Sequence, residues 1–485
     1  MSGGLGWSAE RVAQALGVPV QGGVEFSEIS TDTRTLRPGA LFVALQGERF
    51  DGHDHLAVTE RAGAVAAVVR AGTPPAGALQ LIEVPDTLRA YGELARERRR
   101  AIPGPVVAIG GANGKTSTKE MCAAVLRTRF RVMATPANDN NLVGVPKTIL
   151  AAPGDTEALV IEAGASIRGE LAQARLIIDP TVTVTTNVVA SHLNGFGSLD
   201  GVLQEELDLL DGCPLAIVGP EPPALAAGAR KRARRVVVAG IDGAERMPGE
   251  ISLDANGHAT MQVGGERILL PVIGRHQAGN AMLAWVLAEE LGLDSQSVAE
   301  ALRSFRIPGG RGEVLEAGGY TILNDAYNAN PASFRAAIET ARAMRGDRRL
   351  VFVAGTMRAL GPEAARFNQE VAAELVALQP DLLAGVGEFV PALAPYADSF
   401  GDRLLSAPDA PAWGRSWPGG STAENSSCSR HPAGWRWSVY FRTSPDRITR
   451  HTEAPCFITC SPRWASTTSY SISSTTSASA RRRRR

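Results

Sequence analysis

The chain has 485 residues, with 50 Lys+Arg against 50 Asp+Glu, a formal net charge of zero and 44% hydrophobic residues. That length exceeds one ordinary core and predicts two to four domains, and the zero charge argues against nucleic-acid binding across the surface. A basic segment followed by an apolar run and a stretch of about 20 apolar residues are both missing, so no signal peptide or membrane span is expected; two cysteines before residue 428, without metal-ligand spacing, fit a reducing cytoplasm.

In chain order, short apolar runs at 41–45, 65–69 and 81–84 predict strands. Arg98, Arg99 and Arg100 before Pro103-Gly104-Pro105 read as a charged helix end and a linker. From Val106 onward, strand candidates at 106–109, 158–162, 181–185, 215–218 and 236–239 alternate with helical stretches, which predicts a largely parallel α/β sheet. Residues 251–273 alternate like antiparallel strands, and 280–291 read as an apolar helix. After a second linker at Pro308-Gly309-Gly310, strand candidates at 321–324, 350–354 and 382–386 predict a third α/β unit. The expected division is 1–103, 104–307, 308–410 and a tail 411–485.

Residues 106–120 carry the strongest chemical signal. A buried strand runs into Gly110-Gly111-Ala112-Asn113-Gly114-Lys115-Thr116-Ser117, and a helix follows. The glycines let the backbone turn around an anion, Lys115 can reach outer phosphates, and the Thr116 hydroxyl suits Mg²⁺. The helix N-terminus adds N–H groups aimed at the same anion. The pattern points to a nucleoside triphosphate site. Glu162, at the end of an apolar strand, is a natural Mg²⁺ ligand beside such a loop.

Several ordered motifs resemble the Mur ligases, cytoplasmic enzymes of peptidoglycan precursor synthesis. They are the 109–120 loop, the asparagine-rich 135–146 segment with Asn138 and Asn141, and Asn324-Asp-Ala-Tyr-Asn-Ala-Asn-Pro331 with Tyr327, Asn328 and Asn330. Thr31-Asp-Thr-Arg34 and the 47–54 segment complete the set. The resemblance spans about residues 8–410. It implies three domains: a UDP-substrate domain, a central parallel-sheet P-loop ATP domain and a Rossmann-like C-terminal domain. It implies a monomer that uses ATP and Mg²⁺ to join D-alanyl-D-alanine to UDP-N-acetylmuramoyl-tripeptide through an acyl phosphate. A sister ligase adding another amino acid, and an ATP-binding remnant that cannot ligate, stay open as alternatives.

The resemblance also assigns roles. Gly111, Ala112, Asn113, Gly114, Lys115, Thr116 and Ser117 would hold ATP phosphates, Asn280 the adenine, Arg311 the phosphates from the third domain, and Asp325 the ribose. Lys115, Glu162, His192 and Glu206 would be catalytic, with His192 a ligand of a second metal beside the Thr116 and Glu162 site. The family usually carries a carbamylated lysine about fourteen residues after that histidine; Glu206 occupies this position, and its carboxylate is expected to replace the carbamate. Thr33, Arg34 and His53 are the candidates for the uridine-diphosphate end.

Near residue 411 the character changes: five of the seven tryptophans lie beyond it, Ser, Thr and Arg accumulate, and apolar periodicity ends. Such a tail is expected to be disordered. The family's closing Lys-x-Ser-Arg-Gly segment is missing, yet residues 425–438 read in a shifted frame can spell Lys-Ala-Ser-Arg-Gly. The coding frame is therefore expected to depart from the ancestral one near codon 411. Resequencing the gene checks this: a compensating insertion or deletion that restores the motif supports the shift, and no such restoration at any single site rejects it.

Overall fold

The structure, a computed structural model, describes residues 6–20, 22–47, 50–307, 311–317 and 320–409, together with the strand Cys456–Cys460. Three main sheets follow one another along the chain. In the first, strands Ile29–Ser30, Leu41–Val43, Ala66–Arg70 and Gln80–Val84 pair in parallel in chain order. Helix Thr87–Arg100 follows. The Asp86 side chain accepts hydrogen bonds from the N–H groups of Leu88 and Arg89, and three arginines complement the negative C-terminal end of the helix dipole. This helix packs on helices Gly144–Leu150 and Glu170–Ile178. Buried Arg98 fastens the junction by donating to the carbonyls of Ala152 and Pro153.

The second sheet is fully parallel, in the order Val236–Val238, Leu215–Val218, Val182–Thr185, Val106–Gly110, Ala158–Glu162, Val132–Ala134. Its central strands are buried on both faces, which explains their unbroken apolar runs. The chain leaves Val106–Gly110 for one side of the sheet and later returns to its other side. This reversal opens a crevice at the carboxyl ends of Val106–Gly110 and Val182–Thr185.

The expected antiparallel stretch is present as Glu250–Leu253, His258–Val263 and Glu266–Ile273. The apolar helix spans His276–Glu290 and so starts earlier than its apolar run. Gly274, at φ 97°, ends the strand and the helix begins at once, which brings the polar residues Gln277 and Asn280 onto its first turns. Trp285 is buried in the core between this helix, helix Lys115–Leu126 and the antiparallel sheet.

The third sheet is mixed. Glu313–Ala317 and Tyr320–Asn324 form an antiparallel hairpin, while Arg349–Ala354, Leu382–Val386 and Leu404–Ala407 pair in parallel. Between the two groups lies Cys456–Cys460, antiparallel to both neighbours. The tail was expected to be disordered; these five residues are instead a strand, as the β-prone Phe457-Ile458-Thr459 core of the segment favours. The other residues of 411–485 lie outside the described residues. Among the described residues no helix is long and apolar enough to cross a membrane.

Candidate active site

The crevice holds a cavity of about 810 Å³ whose walls come from the second and third units. Its floor is the glycine loop. Gly111 (φ 110°) and Gly114 (φ 81°) occupy left-handed backbone, and a Cβ on Gly111 would sit 2.1 Å from Thr186 Oγ1. The loop is tied down from behind: Ala112 N–H donates to Asn187 O (2.9 Å) and Asn113 N–H to Asn187 Oδ1 (3.1 Å). The Thr186 hydroxyl donates to Asn113 O at 2.5 Å. Lys115 starts the following helix, and its Nζ donates back to the carbonyl of Gly111 at 2.5 Å.

Glu162 ends its strand beside this loop, and only 1% of it is exposed. The Thr116 hydroxyl donates to Glu162 Oε2 (2.9 Å) and the Asn140 amide to Oε1 (2.8 Å). Thr135 Oγ1 in turn accepts from Glu162 N–H. A buried carboxylate and a hydroxyl opening on an anion loop are hard oxygen donors of the kind Mg²⁺ takes. Among the described residues no group of three or more His, Cys, Asp or Glu could hold a metal alone, so water and phosphate oxygens would complete the shell. His192 lines the same cavity in left-handed backbone (φ 49°). Burial first, and then the Lys115 charge, hold its pKa below the usual histidine value, so the imidazole is neutral and able to ligate at pH 7.

Glu206 is buried, and its Oε2 accepts the Gly111 N–H at 2.6 Å. The structure thus sets this carboxylate against the loop backbone; it is not among the cavity-lining residues that include His192 and Glu162. Burial pushes its carboxyl up to about 7, against the lowering effects of Lys115 and the Gly111 N–H.

The third unit supplies Arg311, Asp325, Tyr327 and Asn328 to the cavity. The Arg311 guanidinium stacks on the Tyr327 ring at 3.7 Å. Asp325 accepts from Gly312 N–H (3.1 Å), and burial raises it to about 7. Asn330 caps helix Pro331–Arg345 and bonds Asn113. Asn280 also lines the cavity, with its amide donating to Gln277 Oε1. Ser117 and Asn141 line it too, and Asn141 Oδ1 accepts from the N–H groups of Val143 and Gly144.

Thr33, Arg34, His53 and Asn138 lie outside this cavity. Arg34 is forked onto Asp32 (2.8 and 2.6 Å), which holds the Asp32 carboxyl down to about 2. His53 pairs with Asp51 through Nδ1 and accepts the Arg70 N–H at Nε2. Sequence reasoning overlooked Thr135, Asn140, Thr186 and Asn187, which hold the loop and Glu162. It also overlooked His276, which lines the cavity. Thr135 and Asn140 carried a signal, through the asparagine-rich segment that contains both.

Family models agree with this geometry. Residues 25–99 match the Mur ligase family catalytic domain, 109–288 the Mur ligase middle domain and 310–397 the Mur ligase glutamate ligase domain. The UDP-N-acetylmuramoyl-tripeptide–D-alanyl-D-alanine ligase of Bacillus subtilis (strain 168) is 33% identical over 75% of this chain and 81% of its own. The enzyme of the same name from Escherichia coli (strain K12) is 35% identical over 75% and 82%. A crystal structure of MurF from Acinetobacter baumannii aligns with TM-score 0.75 at 27% identity, covering 83% of this chain and 89% of that one. MurF ligase from Thermotoga maritima in complex with ADP gives 0.70 at 26%, covering 80% and 90%. The chain belongs to the Mur ligase family.

Glu206 generates a pH prediction. With its folded pKa raised from 4.5 to about 7, the folded protein keeps a proton that the unfolded chain has released. Its contribution to stability therefore falls as pH rises through that window. Glu206→Gln keeps an oxygen for Gly111 and cannot ionise. It is expected to be more stable than the unaltered chain at about pH 8 by on the order of 3 kcal/mol, and equally stable near pH 4. Thermal unfolding across that range checks this; a constant difference at every pH would reject the buried charge as its cause.

Proposed function

We propose that this Mur ligase joins D-alanyl-D-alanine to UDP-N-acetylmuramoyl-tripeptide at the expense of ATP, giving the pentapeptide precursor of peptidoglycan. The carrying observation is the buried Thr116–Glu162 pair, bonded by Asn140, beside a glycine loop and in one cavity with the third unit's Arg311. The names of its relatives supply the substrates.

In this reading ATP lies on the loop with its phosphates toward the first turn of helix Lys115–Leu126. Lys115 exchanges its bonds to the Gly111 and Ala112 carbonyls for phosphate oxygens. Asn280 reads the adenine, and Asp325 the ribose. The tripeptide's terminal carboxylate attacks the γ-phosphorus, and the bond to the bridging oxygen breaks with its electron pair leaving on ADP. The D-Ala-D-Ala amine then attacks the acyl carbon and loses a proton as phosphate departs. Lys115 and Arg311 neutralise the charge that builds along this path, and their setting in a partly closed cavity strengthens the effect. Thr116 and Glu162 would hold Mg²⁺, with His192 available to a second ion; bound there, Mg²⁺ neutralises phosphate charge. Thr33, Arg34 and His53 serve the uridine-diphosphate end, in a chain divided at about 103 and 307, acting as a cytoplasmic monomer.

Glu206 acts here through the loop: it holds the Gly111 N–H so that the phosphates meet a fixed backbone. Phosphate release with UDP-MurNAc-tripeptide, ATP, Mg²⁺ and D-Ala-D-Ala tests the function, with single amino acids replacing the dipeptide as the sister-ligase arm. Release only with the dipeptide is expected, and tight ATP binding without release would identify a remnant. Glu206→Ala leaves a buried N–H unpaired and is expected to lower turnover roughly tenfold or more; near-normal turnover would reduce Glu206 to a helix residue.

A further inference from the structure

Asn113 and Asn330 are 217 residues apart and face each other across the cavity's two units. Asn113 Nδ2 donates to Asn330 Oδ1 at 3.0 Å, and Asn330 Nδ2 donates to Asn113 Oδ1 at 2.6 Å. Each amide uses its donor and its acceptor on the other, as the carbonyl and NH₂ of a primary amide allow. Both ends are anchored. Asn113 is fixed through its backbone by Thr186 and Asn187. Asn330 is 4% exposed and shares three further bonds with Ser333 as the cap of helix Pro331–Arg345.

We propose that Asn113 and Asn330 are paired positioning residues that set the third unit's 325–330 loop in register with the phosphate loop. The strand Tyr320–Asn324 fixes one end of that loop and the amide pair fixes the other. Between them lie Asp325 and Tyr327, and Tyr327 carries Arg311 on its ring. The pair therefore decides where the third unit's cation and carboxyl stand relative to Lys115. Elsewhere the third unit is seated independently, through Arg348 on the carbonyl of Ala255 and Met344 against Gly257. Losing the pair shifts the register without releasing the unit.

This inference rests on the ligase reading for its kinetic arm only. Asn330→Ser keeps a capping oxygen while removing the amide, and Asn113→Ala removes the other half. ATP is held mainly by the second unit in this arrangement, so Asn330→Ser is expected to lower kcat about tenfold and leave the ATP KM within about threefold, and Asn113→Ala, on the phosphate loop itself, to lower kcat by a similar factor. The double variant should lose no more than about the larger single loss, because one shared interaction is removed once. Losses that multiply to about a hundredfold, or a raised ATP KM with kcat unchanged in Asn330→Ser, overturn the proposal. Hydrogen exchange gives a second arm that needs no turnover. In Asn113→Ala the amides of 325–333 should exchange at least about fivefold faster than in the unaltered chain. If the unaltered chain releases no phosphate, the ligase reading fails and exchange alone decides: acceleration confined to 110–116 overturns the pairing.

Discussion

The site depends on the close approach of the phosphate loop to the end of strand Val182–Thr185. Residues 110 and 111 run so near this neighbour and helix Leu199–Asp208 that neither tolerates a side chain. A Cβ on Gly110 would stand 2.8 Å from Glu206 Oε2, and one on Gly111 2.1 Å from Thr186 Oγ1. The approach fixes how the loop's donors are shared. The N–H groups of Gly111, Ala112 and Asn113 bond Glu206, Asn187 O and Asn187 Oδ1. At Gly114 and the first helical residues, by contrast, the N–H groups have no helical partners and the dipole favours an anion.

Three carboxyl groups surround this loop, and their surroundings divide their work. Glu162 accepts from a hydroxyl and an amide, both of which rotate, so it can exchange them for an ion without leaving its place. Glu206 accepts a backbone N–H that cannot move away, and it is not among the residues that line the cavity; its position suits bracing more than exchange. Asp325 is also tied to a backbone N–H, but it lines the cavity, where its oxygens can meet a ligand. Burial raises the last two, as expected where desolvation exceeds what one N–H and a nearby cation return.

Much of this was legible in the sequence, for reasons that differ by residue. Strands such as Ala158–Glu162 and Leu382–Val386 are buried runs between turns, so periodicity and punctuation find them. Val132–Ala134 escaped because its three residues are all only partly buried. The phosphate loop is local, with glycines, lysine and threonine adjacent in the chain. Glu206 could be aligned but not placed, because its partner lies 95 residues away and a backbone N–H leaves no mark in a sequence. Thr186 and Asn187 escaped because threonine and asparagine are ordinary loop residues whose work shows only when the loop above them is seen. The partners of His53 were likewise invisible in the sequence: Asp51 at Nδ1 and the Arg70 N–H at Nε2 set its ring orientation.

The third sheet separates what backbone can supply from what side chains must. Without Cys456–Cys460, the hairpin and the parallel trio would each present an unpaired edge at the centre of the sheet. The hydrogen bonds that close this gap are main-chain bonds, and they ask of a segment only strand conformation and no proline. A stretch whose composition departs from everything before residue 411 can therefore still complete the sheet. A substrate contact made by a lysine or an arginine has no such tolerance, because it needs one charged group at one position. The architecture of the third unit and its chemistry thus place unequal demands on the end of the chain, and the sheet is the less demanding of the two.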